Sequence, residues 1–217
     1  MLINRDLKHL HTHVPKNGGE SLTFMLQKLG WNKTGDKILN AGAHASLGTF
    51  KNKKEYYEVV KDFYKTTMIR NPWEHAVSFY RHSLHRRLFL VENFFGCSNF
   101  SNMSDEDKLN IDVSFDRFIK TGYQNRCQTV FIKEFEDEGL VFDEWFDYSD
   151  YDGMLKNFES RFKIKIENNI RTHDKRDLDY IIEMDYNKPY QEFYNEETYE
   201  IVKNLSKKEI EIFNYKF

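Results

Sequence analysis

The segment His13-Val14-Pro15-Lys16-Asn17-Gly18-Gly19-Glu20-Ser21-Leu22 constrains the fold more than any other part of this chain. Two adjacent glycines allow a tight backbone turn and a close approach to a ligand without a Cβ penalty. Before them, residues 7–14 read as a strand. After them, Leu22, Met25, Leu26 and Leu29 recur at helical spacing, and Gly30 stands where a C-terminal cap belongs, which predicts a helix over 20–29. A strand, a glycine turn and a helix start together make an anion cradle, because the first helical N–H groups have no intrahelical partner and carry the positive end of the dipole. Lys16 adds a full positive charge to that cradle. The order of residues is not that of the nucleotide-triphosphatase loop, in which glycines precede the lysine, so ATP-Mg hydrolysis loses support.

A second segment strengthens the reading. Tyr64-Lys65-Thr66-Thr67-Met68-Ile69 has strand propensity and leads into Arg70-Asn71-Pro72-Trp73-Glu74-His75-Ala76-Val77-Ser78. Asn71 suits an N-cap and Pro72 the first helical position, which predicts a long helix over 72–90. Arg70 then stands at the carboxyl end of a strand and Ser78 about two turns into a helix. A guanidinium offers a planar fork for phosphate oxygens, and a hydroxyl adds one directed donor.

The order Pro-Lys-x-Gly-Gly-x-Ser-Leu, preceded by His-Val, resembles the 5′-phosphosulfate loop of sulfotransferases that use 3′-phosphoadenosine 5′-phosphosulfate (PAPS), especially the carbohydrate branch. The Arg70 and Ser78 pair has the separation that this family uses to bind the 3′-phosphate. The resemblance implies that Lys16, Asn17, Gly18, Gly19, Glu20, Ser21 and Leu22 hold the 5′-phosphosulfate and that Arg70 and Ser78 hold the 3′-phosphate. It also implies a P-loop-like three-layer α/β fold, with a central parallel sheet flanked by helices and a helix-rich C-terminal half. PAPS is the implied donor, 3′-phosphoadenosine 5′-phosphate (PAP) the product, and a hydroxyl-bearing acceptor, expected to be a carbohydrate, the partner. Two positions depart from the family. Glu20 replaces a small hydroxyl residue, and a carboxylate beside a sulfate is repulsive unless it points away. His75 replaces a second arginine. Two other readings stay open: a small-molecule or nucleotide kinase on a related fold, and a nucleotide- or glycan-binding module without catalysis.

At 217 residues the chain fits one domain, 1–217, with a sizeable core. Its 40% hydrophobic content argues against a disordered chain. No apolar run reaches bilayer-spanning length, and Met1-Leu2-Ile3-Asn4-Arg5-Asp6 lacks a signal-peptide core. With only Cys97 and Cys127, no disulfide framework is expected, and a cytoplasmic protein is the expectation. A net charge of -3 removes the electrostatic argument for nucleic-acid binding. The sequence leaves the oligomeric state open.

Sulfuryl transfer to an alcohol needs positive charge on the departing oxygen and a base on the acceptor hydroxyl. Lys16 is the candidate for the charge. His44, in Ala41-Gly42-Ala43-His44-Ala45-Ser46, is the candidate base, since it resembles a His-Ala segment lying between the two motifs in bacterial and glycan sulfotransferases and titrates near neutrality. Glu20, His13 and His82 are the alternatives. His9, His11 and His13 share one face of the predicted strand, which raises a metal site; without a nearby carboxylate or further histidine, no metal is expected. Arg81, His82, His85, Arg86 and Arg87 form a basic stretch that reads as a solvated helix face or an attractor of acidic sugars. Residues 96–110 read as a polar loop. A helix starting near Ser114 is ended by Gly122, and Asn125 to Gln128 loosely resembles an Asn/Gln segment of the family. Asn195-Glu196-Glu197 opens a helix, and Ser206-Lys207-Lys208-Glu209 reads as a capping box for another.

Overall fold

The strand expected over residues 7–14 forms only as His9–Thr12, the second strand of a hairpin whose first strand is Leu2–Asn4, and the reason for its later start is local. Asn4 Oδ1 accepts from the Leu7 N–H at 3.0 Å, the Lys8 N–H reaches the Arg5 carbonyl at 3.2 Å, and Lys8 adopts a left-handed φ of 47°. This side-chain-closed turn needs neither glycine nor proline. The structure is a computed structural model, and it describes residues 1–33, 53–85, 103–104, 112–137, 139–167 and 187–217.

In chain order the elements are β1 (Leu2–Asn4), β2 (His9–Thr12), α1 (Gly19–Gln27), β3 (Asn32–Lys33), α2 (Lys53–Val60), β4 (Tyr64–Ile69), α3 (Pro72–His85), α4 (Phe115–Thr121), α5 (Gln128–Asp137), β5 (Glu144–Asp147), α6 (Tyr151–Phe162), α7 (Glu196–Leu205) and α8 (Lys207–Phe213). The sheet order is β3-β1-β2-β4-β5. The three strands β2, β4 and β5 run parallel, with His9 opposite Tyr64 and Ile69 opposite Asp147, while β1 joins β2 and β3 antiparallel. This is a helix-rich α/β, P-loop-like layout, with its parallel strands forming one side of the sheet as described, out to the edge strand β5, and an antiparallel extension forming the other. The described residues gather into two compact units, one from Met1–Arg70 and Phe131–Thr172, the other from Asn71–Val130 and His173–Phe217.

In the first unit, alternation along the strands sends Leu2, Met68 and Phe146 into one core. There they meet Leu22, Met25 and Leu26 of α1 and Met154, Leu155 and Phe158 of α6. Each fully buried leucine here contributes on the order of 1.5–3 kcal/mol. Gly30 ends α1 as the sequence indicates: at φ 93° it lets the Gly30 N–H reach the Gln27 carbonyl at 3.3 Å and the Trp31 N–H reach the Leu26 carbonyl at 3.1 Å. The opposite face of β4 buries Lys65, whose ammonium donates to the carbonyls of Lys61 and Phe63 at the end of α2. Its backbone N–H also donates to Asp143 Oδ2 at 2.6 Å, which fastens the starts of β4 and β5 together.

In the second unit α3 presents Trp73, Ala76, Val77, Tyr80 and Leu84 to Phe115, Phe118, Ile119, Tyr123 and Val202. Asn71 caps α3 through Oδ1, which accepts from the Trp73 N–H at 3.1 Å, and its Nδ2 donates to the Lys216 carbonyl at 2.8 Å. Residues 86–90 of the helix expected over 72–90, and most of the loop expected over 96–110, lie outside the described residues. Gly122 caps α4 as expected. Asn195 opens α7 with a reciprocal capping box to Thr198. The capping box expected at Ser206 does not form. Ser206 makes no side-chain cap, and Glu209, fully buried, instead accepts from Thr129 Oγ1 at 2.6 Å. A tertiary partner outcompetes the local one.

Candidate active site

The glycine loop joins β2 to α1 with left-handed backbone at Lys16 (φ 69°) and at Gly18 (φ 70°), but not at Asn17 between them. Alternating handedness of this kind turns successive N–H groups toward one concavity. Both glycines are sterically required. A Cβ on Gly18 would lie 2.7 Å from Tyr148 Cε2, and one on Gly19 would lie 2.0 Å from the ring of His13. Gly18 is the N-cap of α1, with no side-chain cap, so Gly19, Glu20 and Ser21 form the helix's first turn. Glu20 is exposed, Lys16 and Ser21 are half-buried, and Leu22 is buried in the core, where it can serve a ligand only through the backbone.

Asn17 is used differently from its neighbours. Its side chain is buried and donates to the Met68 carbonyl at 2.8 Å, and its N–H reaches the Val14 carbonyl at 3.4 Å. It pins the loop to β4. Arg70, which follows β4 directly, sends Nη1 to the Lys16 carbonyl at 3.4 Å and lays its guanidinium 4.7 Å from the centre of the Tyr148 ring. The two motifs found in the sequence, separated by some fifty residues, are thereby in direct contact within the first unit. Ser78 sits half-buried on α3 in the second unit.

The candidate base His44 lies outside the described residues. Of the alternatives, His13 is buried with its ring against Gly19, and His82 is half-buried with its ring edge-on to Phe79. His75 is fully buried on α3, its Nδ1 3.0 Å from the Tyr123 hydroxyl, so it serves the helical core. Arg81 donates to the Lys188 carbonyl at 2.8 Å and packs over Phe193, which ties the first residue of the basic stretch into the second unit. His85, Arg86 and Arg87 have no described side chains.

His9 and His11 do share a face, as their alternation indicates. They face a threonine: His9 Nε2 and His11 Nδ1 each lie 2.9 Å from Thr66 Oγ1, and Trp31 Nε1 donates to His9 Nδ1 at 2.9 Å. Burial holds both imidazoles well below their usual range. Among the described residues no group of three or more histidine, cysteine or acidic side chains is placed to hold a metal ion. Also among the described residues, no helix is long and apolar enough to cross a membrane.

Sequence reasoning missed Tyr148, which lies more than seventy residues from Arg70. The parallel pairing of β4 with β5 brings them together: Ile69 stands opposite Asp147, so the next residues, Arg70 and Tyr148, leave the sheet side by side. No curated protein and no solved structure matches the chain. The family model described as "Sulfotransferase family" matches residues 1–216, nearly the entire sequence. With the loop, Arg70 and the α/β frame in place beneath that match, the chain belongs to the sulfotransferase family.

Proposed function

We propose that this protein transfers a sulfuryl group from PAPS to a hydroxyl acceptor, with a carbohydrate as the acceptor class. The observation that carries the reading is the contact between Arg70 Nη1 and the Lys16 carbonyl, which joins the lysine-bearing loop to the arginine that the family resemblance assigns to the 3′-phosphate. ATP lacks that phosphate, so an arginine at this place favours the 3′-phosphorylated nucleotide. The first-turn N–H groups of α1 suit the 5′-phosphosulfate through the positive end of the helix dipole, and Lys16 neutralises the bridging oxygen as it departs. Ser78 adds a hydroxyl donor for the 3′-phosphate. The exposed carboxylate of Glu20 need not face the anion.

In the reaction the acceptor oxygen forms a bond to sulfur while the bond from sulfur to the phosphate oxygen breaks. The acceptor proton passes to a base, for which His44 is the proposed group, and PAP leaves with the electron pair of the broken bond. The buried free thiol of Cys127 accords with a reducing, cytoplasmic setting.

Calorimetry with PAP tests the donor. Binding at submillimolar ligand is expected, weakened in Arg70→Ala; no binding, or binding indifferent to Arg70→Ala, refutes the assignment. Lys16→Ala should lower turnover by ~10²–10³-fold, the usual loss of one donor to a developing charge. His44→Ala should abolish turnover and keep PAP affinity, and turnover in the presence of a chelator separates this chemistry from a magnesium-dependent kinase.

A further inference from the structure

We infer that Tyr148 is a positioning residue that sets the guanidinium of Arg70 and thereby the preference for a 3′-phosphorylated nucleotide; the inference rests on the PAPS reading above. A single ring touches both halves of the site. Its edge fills the space where a Cβ on Gly18 would stand, and its face lies 4.7 Å from Arg70 Cζ. Tyr148 is itself held between two closed turns. Asp147 Oδ1 accepts from the Ser149 N–H at 2.7 Å, and Asp150 Oδ1 accepts from the Gly153 N–H at 3.1 Å to cap α6. The register of β4 and β5 delivers the two side chains to the same edge of the sheet.

The physical consequence concerns orientation. An arginine side chain has many rotamers, and a guanidinium that must meet a phosphate through two parallel donors loses affinity when it samples them. The Tyr148 face removes much of that freedom by attraction between the cation and the ring's negative face. The Lys16 carbonyl fixes one end of the fork. Because the same ring abuts Gly18, any shift of the loop is also transmitted to Arg70. Tyr148 acts through Arg70 and not on the reacting atoms, so its loss should appear as lost discrimination between nucleotides.

The experiment compares dissociation constants for PAP and for 5′-AMP, which lacks the 3′-phosphate. Tyr148→Leu is expected to weaken PAP by ~10-fold, the scale of a partly desolvated cation–π contact, with AMP changed by less than about threefold. Tyr148→Phe, which keeps the ring face, should bind PAP as the wild type does. On an Arg70→Ala background, Tyr148→Leu should change the PAP constant no further. A series of fluorinated phenylalanines at position 148 keeps the shape and drains the ring; PAP affinity should fall stepwise along it while the melting temperature holds, which retains the test if the leucine variant folds poorly. Equal losses for PAP and AMP, or a flat fluorine series, overturn the inference. A wild type with no preference for PAP over AMP overturns the PAPS reading and this inference together, whereas a normal wild type with an indifferent Tyr148→Leu removes only the role of Tyr148.

Discussion

Lowering the pH from 7 to 5 should destabilise the first unit through a buried hydrogen-bond chain whose direction the structure fixes. Trp31 Nε1 can only donate, so His9 Nδ1 accepts and carries no proton. His9 Nε2 therefore holds the ring hydrogen and donates to Thr66 Oγ1, and the Thr66 hydroxyl hydrogen is left to point at His11 Nδ1. A proton added to His9 would set two N–H donors against each other, and one added to His11 Nδ1 would turn the Thr66 hydroxyl hydrogen away from its acceptor. Around this chain stand the aromatic rings of Phe158, Phe162 and Tyr64, with Arg161 and the chain's amino terminus as the nearby positive charges that oppose protonation further. Burial is the larger cause, and it brings His11 from the ordinary 6.5 to about 3. The sign follows from linkage. The unfolded chain takes up a proton as pH falls through 6.5, and the folded chain does not until pH nears 3, so stability is whole above neutrality and is lost as the solution is acidified. For His11 alone the loss between pH 7 and pH 5 comes to about 2 kcal/mol, and it changes little if the folded value shifts by a unit, since that value already lies well below pH 5. His9 acts in the same direction. Urea unfolding followed by tryptophan fluorescence at pH 7, 6 and 5 measures the slope. His11→Asn, which keeps an acceptor near the Nδ1 position and cannot titrate, should flatten it by about 1 kcal/mol per pH unit averaged over this range, rising toward ~1.4 at its acid end. A wild-type stability that is level from pH 7 to pH 5, or an Asn variant with an unchanged slope, would refute the neutral chain.

Two further predictions test the loop and the second unit. Gly19→Ala places a methyl group 2.0 Å from the His13 ring, so urea unfolding should show a loss of about 1–3 kcal/mol together with weaker PAP binding, and His13→Ala on that background should restore most of the stability. Asn195→Ala removes the acceptor for the Thr198 N–H at 2.9 Å and should lower stability by about 1 kcal/mol, with Asn195→Ser, which keeps a capping oxygen, less affected; an unchanged urea midpoint in the alanine variant would contradict the capping role.

Much of the fold was legible wherever one residue type answers one local need. The strand over 64–69, the entry of α3 at Pro72 and the glycine ending α1 all appear where the sequence places them, because strand propensity, a fixed proline φ and a left-handed cap act within a few residues. Signals that need a distant partner were hidden. The hairpin turn after Asn4 is closed by a side chain at a position with no glycine, Glu209 answers Thr129 and not its own helix start, and the histidine face meets Thr66 from another strand. The site divides the same way. Its loop and its arginine are readable as motifs, but the contact between them, and the ring under both, exist only once β4 lies beside β5.

That division explains why Asn17, written in the sequence as one more ligand-binding residue of the loop, is better understood as its anchor. Lys16 holds a left-handed backbone that costs a non-glycine residue ~1 kcal/mol or more, and such a conformation persists only where its surroundings over-determine it. Three contacts do so here: Asn17 Nδ2 on the Met68 carbonyl, Arg70 Nη1 on the Lys16 carbonyl, and Tyr148 against Gly18. Each ties the loop to β4, to the residue just after it, or to the residue just after β5, all at the carboxyl end of the parallel strands. The first-turn N–H groups are thus set in place before any ligand arrives, and a donor already aimed at an anion need not be reorganised when charge develops on it. On the proposed function, a loop fixed in this way gives up stability at Lys16 in return for an anion cradle that does not have to form on binding.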